Sequence, residues 1–224
     1  MSETTKLRIE EEGLIPVLRA RSAQEALALV EAAIAGGLSI MEVTMTVPGA
    51  LEVLRQLKKQ CDEHVLLGAG TILDATQAEA AIDAGAEFIL SPSLHHDVIA
   101  MTLRKGKISI PGAFTPTEVI NAWNAGADYV KVFPAAAGGG ASYIKALRAP
   151  FPQLKLIPTG GVTLATAGDY LKAGAVALGV GADLMNVDAI ADGHPEKVTE
   201  TARAYLKAVG DARGSAKGEP IAVR

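Results

Sequence analysis

Short apolar runs alternate along the chain with longer stretches in which apolar residues recur every three or four positions. The short runs predict strands at Leu14–Leu18, Ser39–Thr44, Val65–Ala69, Phe88–Leu90, Lys107–Ile110, Tyr129–Phe133, Lys155–Pro158 and Val176–Gly179. Most are continuous in their hydrophobicity, as expected of parallel strands covered outside by helices and filled inside by side chains. The intervening segments carry helix-start signals. Ser22 precedes Glu25 and Asp74 precedes Gln77 by three, and Thr115-Pro116-Thr117-Glu118 adds proline at the first helical position. Ala26, Leu27, Val30, Ala33 and Ile34 keep helical spacing, as do Val198, Ala202, Tyr205, Leu206 and Val209.

Four of these helices end in Ala-Gly and run straight into a strand, at Ala35-Gly36-Gly37, Ala84-Gly85, Ala125-Gly126 and Ala173-Gly174. A glycine cap followed by a short turn, repeated about every two βα units, is the mark of one continuous barrel. The pattern predicts an α/β protein, a single-domain (β/α)8 TIM barrel over residues 12–209. Residues 1–11 are expected to form a short helix closing the barrel bottom, and 210–224 a flexible tail.

Composition narrows the function. The 224 residues are 49% hydrophobic but only 4% aromatic, with 23 glycines, which suits a tightly packed parallel sheet. A net charge of −4 argues against a nucleic-acid or anionic-membrane partner. Cys61 stands alone, so no intrachain disulfide is possible, and no Cys/His spacing suits zinc. The start, Met1-Ser2-Glu3-Thr4-Thr5-Lys6, lacks an apolar targeting core, and no apolar run reaches membrane-spanning length, so a cytoplasmic location is expected.

In such a barrel the chemistry sits at the C-terminal ends of the strands. Tyr129-Val130-Lys131-Val132-Phe133 puts Lys131 on an inward face with Tyr129 and Phe133. Poor solvation there favours a neutral, nucleophilic amine. Lys107 and Lys155 begin their strands and belong to the bottom rim. Ser39-Ile40-Met41-Glu42-Val43-Thr44 turns Glu42 inward with Ile40 and Thr44, and the two charges read either as a structural pair or as a nucleophile with its proton shuttle. Thr71, closing Gly68-Ala69-Gly70-Thr71, and Arg19, after the first strand, are placed to meet a substrate carboxylate. Glycines after the last two strands, in Thr159-Gly160-Gly161-Val162-Thr163 and Val180-Gly181-Ala182, precede helix starts and offer backbone N–H groups to a phosphate. His95, His96, Cys61 and Trp123 read as surface or packing residues.

These segments, in their order, resemble the 2-keto-3-deoxy-6-phosphogluconate/4-hydroxy-2-oxoglutarate aldolases. The resemblance rests on Glu42-Val43-Thr44, Gly68-Ala69-Gly70-Thr71, Ser91-Pro92, Pro111-Gly112, Thr115-Pro116-Thr117-Glu118, Lys131-Val132-Phe133-Pro134 and Pro158-Thr159-Gly160-Gly161. It implies a class I aldolase with no metal or other cofactor, acting as a homotrimer on a small keto acid phosphate. Lys131 would be the Schiff-base lysine and Glu42 the general acid/base. Thr71 would contact the pyruvate moiety, Pro92 and Phe133 would wall the pocket, and Gly160 and Gly161 would bind phosphate. Two positions depart from the family pattern. Thr46 stands where many members place a carboxylate-binding arginine, leaving Arg19 and Thr71 to take over. Ala182 stands where a phosphate-binding serine is frequent. Three other readings stay open: an aldolase for 4-hydroxy-2-oxoglutarate or the galactonate epimer, a barrel synthase or epimerase working without an imine, and a non-catalytic trimeric scaffold.

Overall fold

Parallel strands wound by helices account for nearly the whole chain, and the computed structural model describes residues 2–61 and 64–216. Helix α1 (Ser2–Glu12) precedes the strands. Then come β1 (Leu14–Leu18), α2 (Ala23–Ala35), β2 (Ile40–Thr44), α3 (Ala50–Gln60), β3 (Leu66–Gly70), α4 (Ala75–Asp83), β4 (Phe88–Leu90) and α5 (His96–Arg104). The second half contains β5 (Ile108–Ile110), β6 (Gly112–Ala113), α6 (Pro116–Asn124), β7 (Val130–Val132), α7 (Ala141–Arg148), β8 (Leu156–Pro158), α8 (Leu164–Lys172), β9 (Leu178–Val180), α9 (Val187–Ala191) and α10 (Pro195–Ala216). The eight predicted strands are all present. The fifth is broken in two at Pro111, which has no N–H to give a neighbour.

Hydrogen bonding follows the order β5-β4-β3-β2-β1-β9 in one arc and β6-β7-β8 in the other, all parallel. The arcs join at Pro111, whose carbonyl accepts from Lys131 N at 2.9 Å, and at the Thr159–Gly179 bridge. The sheet thus closes into a (β/α)8 barrel.

The local signals behave as their chemistry requires. Ser22 accepts from Glu25 N at 3.1 Å, Asp74 from Gln77 N at 2.8 Å, and Thr115 with Glu118 forms a full capping box. The Ala-Gly turns carry left-handed glycines at Gly37, Gly85, Gly126 and Gly174; in the first turn it is the second glycine that takes this conformation.

Two hydrophobic clusters result. One lies between sheet and helices and includes Leu29, Met41, Val43, Ala69, Ile89, Val119 and Tyr205. The other fills the lower barrel with Ile15, Ile40, Leu66, Phe88, Ile108, Tyr129 and Ile157, and Ile9 of α1 plugs it from below. Full burial of one such side chain contributes roughly 1.5–3 kcal/mol. Residues 2–12 form a helix whose Ile9 packs into this lower cluster.

The far end differs from expectation. The segment from Gly210 is helical to Ala216, and 217–224 lie outside the described residues. Arg213 explains why the helix continues. Its guanidinium donates to the carbonyls of Glu10 and Glu11 at the end of α1, and to Val176 O at 3.1 Å. That grip clamps the last helix to the barrel bottom.

Candidate active site

β2 and β7 lie opposite one another around the barrel, separated by three strand positions on either side. Their inward side chains therefore meet across the lumen. Lys131 Nζ stands 3.9 Å from Glu42 Oε1, and the two residues are only 4% and 0% exposed. That separation is too long for a hydrogen bond. Neither carboxylate oxygen of Glu42 has a hydrogen-bond partner among the described residues. A buried carboxyl without partners is costly and marks a site held for another molecule. Burial pushes the Glu42 carboxyl above its usual range, and the charges of Lys131 and Arg19 only partly oppose that. The group can thus hold a proton and release it as the local charge changes.

Interior glycines make room for this pair. A Cβ on Gly70, one strand over, would lie 1.7 Å from Glu42 Oε1. On Gly68 it would lie 2.1 Å from the Phe88 ring, and on Gly179 2.1 Å from Thr159 Oγ1. Glycine at these inward positions of β3 and β9 opens the lumen where the long polar side chains project. The Phe133 ring forms an apolar wall, its centroid 5.5 Å from Lys131 Nζ, and the Phe133–Pro134 peptide is cis.

On the β8–β9–β1 side lies a cavity of about 230 Å³. Gly160, Gly161, Gly181 and Ala182 all line it, with Phe133 and Arg19. Gly160 and Gly161 adopt left-handed backbone (φ 86° and 78°), and a Cβ on Gly161 would strike Ala136 at 2.3 Å. Among the further lining residues, sequence reasoning assigned no role to Thr159 or Asp183. Thr159 is the inward residue after β8 and is 5% exposed; alternation from Ile157 would have found it. Asp183 follows Ala182, with no local pattern to single it out.

Thr71 and Pro92 close β3 and β4 on the other side of Glu42. Thr71 is held at φ 62°, a strained conformation for a β-branched residue, costing of order 1–3 kcal/mol. Pro92 is packed closely enough that a Cβ on Gly112 would lie 2.3 Å from its carbonyl carbon. Arg19, just after β1, lies across β2 from Thr71; it borders the glycine turns, its Nη1 3.8 Å from where a Cβ on Gly181 would sit, and its charge also reaches Glu42.

Thr46 bonds to Thr44. Thr44 Oγ1 donates its single proton to Leu18 O at 2.9 Å, so the 2.6 Å Thr44–Thr46 bond must use the proton of Thr46. Thr46 then has no donor left for a carboxylate, and its hydroxyl braces Thr44 beside Glu42.

The remaining candidates are structural. Lys107 and Lys155 sit at the barrel bottom and pair with Glu87 and Glu10, each at 2.7 Å. His95 precedes α5, its ring bonded to Ser93 Oγ at 2.8 Å. Among the described residues no three His, Cys, Asp or Glu side chains gather as a metal site would need, and no helix is long and apolar enough to cross a membrane.

Known proteins share this architecture and sequence. The sequence profile of the KDPG and KHG aldolases matches residues 5–201. A 2-dehydro-3-deoxy-phosphogluconate aldolase from Treponema pallidum is 35% identical over 202 residues, covering 90% of this chain and 96% of its own. A 2-dehydro-3-deoxy-6-phosphogalactonate aldolase from Escherichia coli is 34% identical, covering 89% and 95%. The crystal structure of the KDPG aldolase of Legionella pneumophila, with pyruvate captured as a covalent carbinolamine, is 32% identical with a TM-score of 0.80, covering 86% of this chain and 93% of that one. An α/β barrel with an inward lysine facing an unpartnered carboxyl is therefore joined to a family of known chemistry: the chain belongs to the KDPG and KHG aldolases and is a lyase.

Proposed function

We propose that this protein cleaves 2-keto-3-deoxy-6-phosphogluconate to pyruvate and glyceraldehyde 3-phosphate through a Schiff base on Lys131. The observation that carries the reading is the buried Lys131 amine 3.9 Å from a carboxyl with no other partner. The amine attacks the C2 carbonyl, giving a carbinolamine, and water leaves to form the iminium. Glu42 removes the proton of the C4 hydroxyl, the C3–C4 bond breaks, and its electrons pass to the iminium as glyceraldehyde 3-phosphate departs. Proton return to C3 and re-entry of water then release pyruvate and the free amine. A carboxyl lifted by burial suits both directions of proton transfer. The covalent pyruvate adduct of the Legionella pneumophila relative supports the same first steps here.

The two sides of the lumen divide the substrate between them. Thr71 and Pro92 hold the pyruvate end, while Gly160, Gly161, Gly181, Ala182 and Arg19 hold the phosphate. The cavity offers one cationic side chain and the α8 N-terminus to the anion. Borohydride added with pyruvate should leave a stable adduct that peptide mapping places on Lys131. Labelling on another lysine, or none, would overturn the mechanism.

A second reading comes from the same cavity. It has Ala182 where a hydroxyl is frequent, and the Asp183 carboxylate on its wall. Both weaken the pull on a phosphate and favour 4-hydroxy-2-oxoglutarate, while the galactonate relative argues for the C4 epimer. Steady-state kinetics on the three substrates separate these readings. A homotrimeric, cytoplasmic enzyme is part of the proposal, and sedimentation velocity tests the assembly.

A further inference from the structure

Asp183 lines the proposed phosphate cavity, yet its carboxylate is turned to other work. Oδ2 accepts from Leu164 N at 3.1 Å, the first amide of α8, and from the hydroxyl of Tyr205 on α10. Leu164 follows the turn that carries Gly160 and Gly161; Asp183 follows the one that carries Gly181 and Ala182. One carboxylate oxygen therefore ties both glycine turns together. Tyr205 comes from a third element, is wholly buried, and its hydroxyl is held well above its usual range by burial and by Asp183, so it remains a donor.

We infer that Asp183 and Tyr205 are positioning residues that set the spacing between the two glycine turns and so give the cavity its fit for a phosphate. This rests on the phosphate reading of that cavity given above. The reasoning is geometric. Backbone donors on two separate loops act on one anion only if the loops are held in register. Val162 and Thr163 hold the first turn through core packing and bonds to Thr166, but those contacts do not reach the second turn, and the Asp183 carboxylate does. The brace also explains why an acidic side chain is tolerated beside an anion site. Its charge is spread over two donors and the positive end of α8. The Lys131–Glu42 pair lies on other strands, so the brace acts on the phosphate end of the substrate alone.

The test compares Tyr205→Phe, Asp183→Ala and Asp183→Asn on a phosphorylated and an unphosphorylated 2-keto acid, with inorganic phosphate as competitive inhibitor. Tyr205→Phe should raise KM for the phosphorylated substrate and the inhibition constant of phosphate about tenfold. Its kcat, its pyruvate–borohydride trapping and its kcat/KM for the unphosphorylated substrate should stay within about twofold. Asp183→Ala should copy the rise in KM. Asp183→Asn keeps an acceptor oxygen and sheds the charge, so it should bind phosphate as well as the parent or better. Equal losses on both substrates would show a merely structural contact and overturn the inference. So would unchanged KM values in both Tyr205→Phe and Asp183→Ala, or an Asp183→Asn variant as impaired as Asp183→Ala. A parent enzyme indifferent to the phosphate group is a different failure, because it removes the phosphate reading itself before any variant is compared.

Discussion

The two ends of the barrel treat buried charge in opposite ways. At the bottom every charged group near the lumen is answered. Glu12 accepts from Ser39 N, Ser39 Oγ and Ile40 N; Glu10 accepts from Lys155 and from Tyr129 Oη at 2.8 Å; Lys6 pairs with Asp128 at 2.8 Å. Halfway up, Glu42 has no hydrogen bond among the described residues, and Lys131 approaches it only to 3.9 Å. Folding alone would favour the first arrangement everywhere. In the mechanism proposed above, substrate and water supply the missing partners in turn, which is why the second arrangement would persist.

Breaking the pair itself should have the largest effect. Lys131→Met keeps length and apolar bulk but removes the amine; trapping with pyruvate and borohydride should vanish and turnover fall to background. Residual trapping would place the imine elsewhere. Glu42→Gln should still form some imine while losing about 10²–10⁴-fold in kcat, or about 3–5 kcal/mol of barrier. A variant within tenfold of the parent would mean that another group moves the protons. Gly70→Ala sharpens the point without touching either charge. The new methyl would need the space of Glu42 Oε1, only 1.7 Å away, so the carboxyl must shift. A misplacement of that size should cost about 10²-fold in kcat while leaving trapping on Lys131 intact.

The same contrast governs what the chain discloses before folding. Strand positions were legible because continuous apolar runs and capped helices are local signals, and the inward faces of Lys131 and Glu42 followed from alternation. What alternation cannot supply is the angular position of each strand around the barrel. That Arg19 and Thr71 flank Glu42 from opposite sides, after β1 and β3, is read only from the strand order. The hydroxyl relay that consumes the proton of Thr46 depends on Leu18 O, which lies far from it in sequence. The helical continuation over residues 210–216 was missed for a similar reason. Gly210 and Gly214 lower the intrinsic helicity there, and the grip of Arg213 on α1, with the burial of Val209 and Ala212, overrides it. Gly68, Gly70 and Gly179 did carry a signal, since glycine at inward strand positions reports a large neighbour or a cavity.

At the satisfied end the expected effects are smaller and fall on stability. Tyr129→Phe removes a hydroxyl bonded to Glu10 and to Lys6 O, and should cost about 1 kcal/mol in urea unfolding with kcat unchanged. A change in kcat would mean that the bottom network reaches the reacting pair, and the division between the two ends would not hold.

The smallest effect tests the sign of the contrast. At Glu10 burial pushes the carboxyl up, but the bonds from Lys155 and Tyr129 outweigh it and leave the group below its ordinary value of 4.5. A depressed carboxyl stabilises the fold above its unfolded pKa, and that stabilisation is lost as pH falls through the folded value. Lys155→Met deletes the main opposing partner, so at neutral pH it should destabilise the protein by about 0.5–1 kcal/mol, as for a part-exposed pair. The gap between parent and variant should then close as the pH is lowered below about 4.5. Glu42, lifted rather than depressed, has the reverse linkage: its contribution to stability declines as pH rises from 4.5 through its elevated folded value. Unfolding free energies measured from pH 3 to 8, at one ionic strength, would show both slopes. A Lys155→Met gap that widens toward acid would reverse the assignment of the bottom end as the satisfied one.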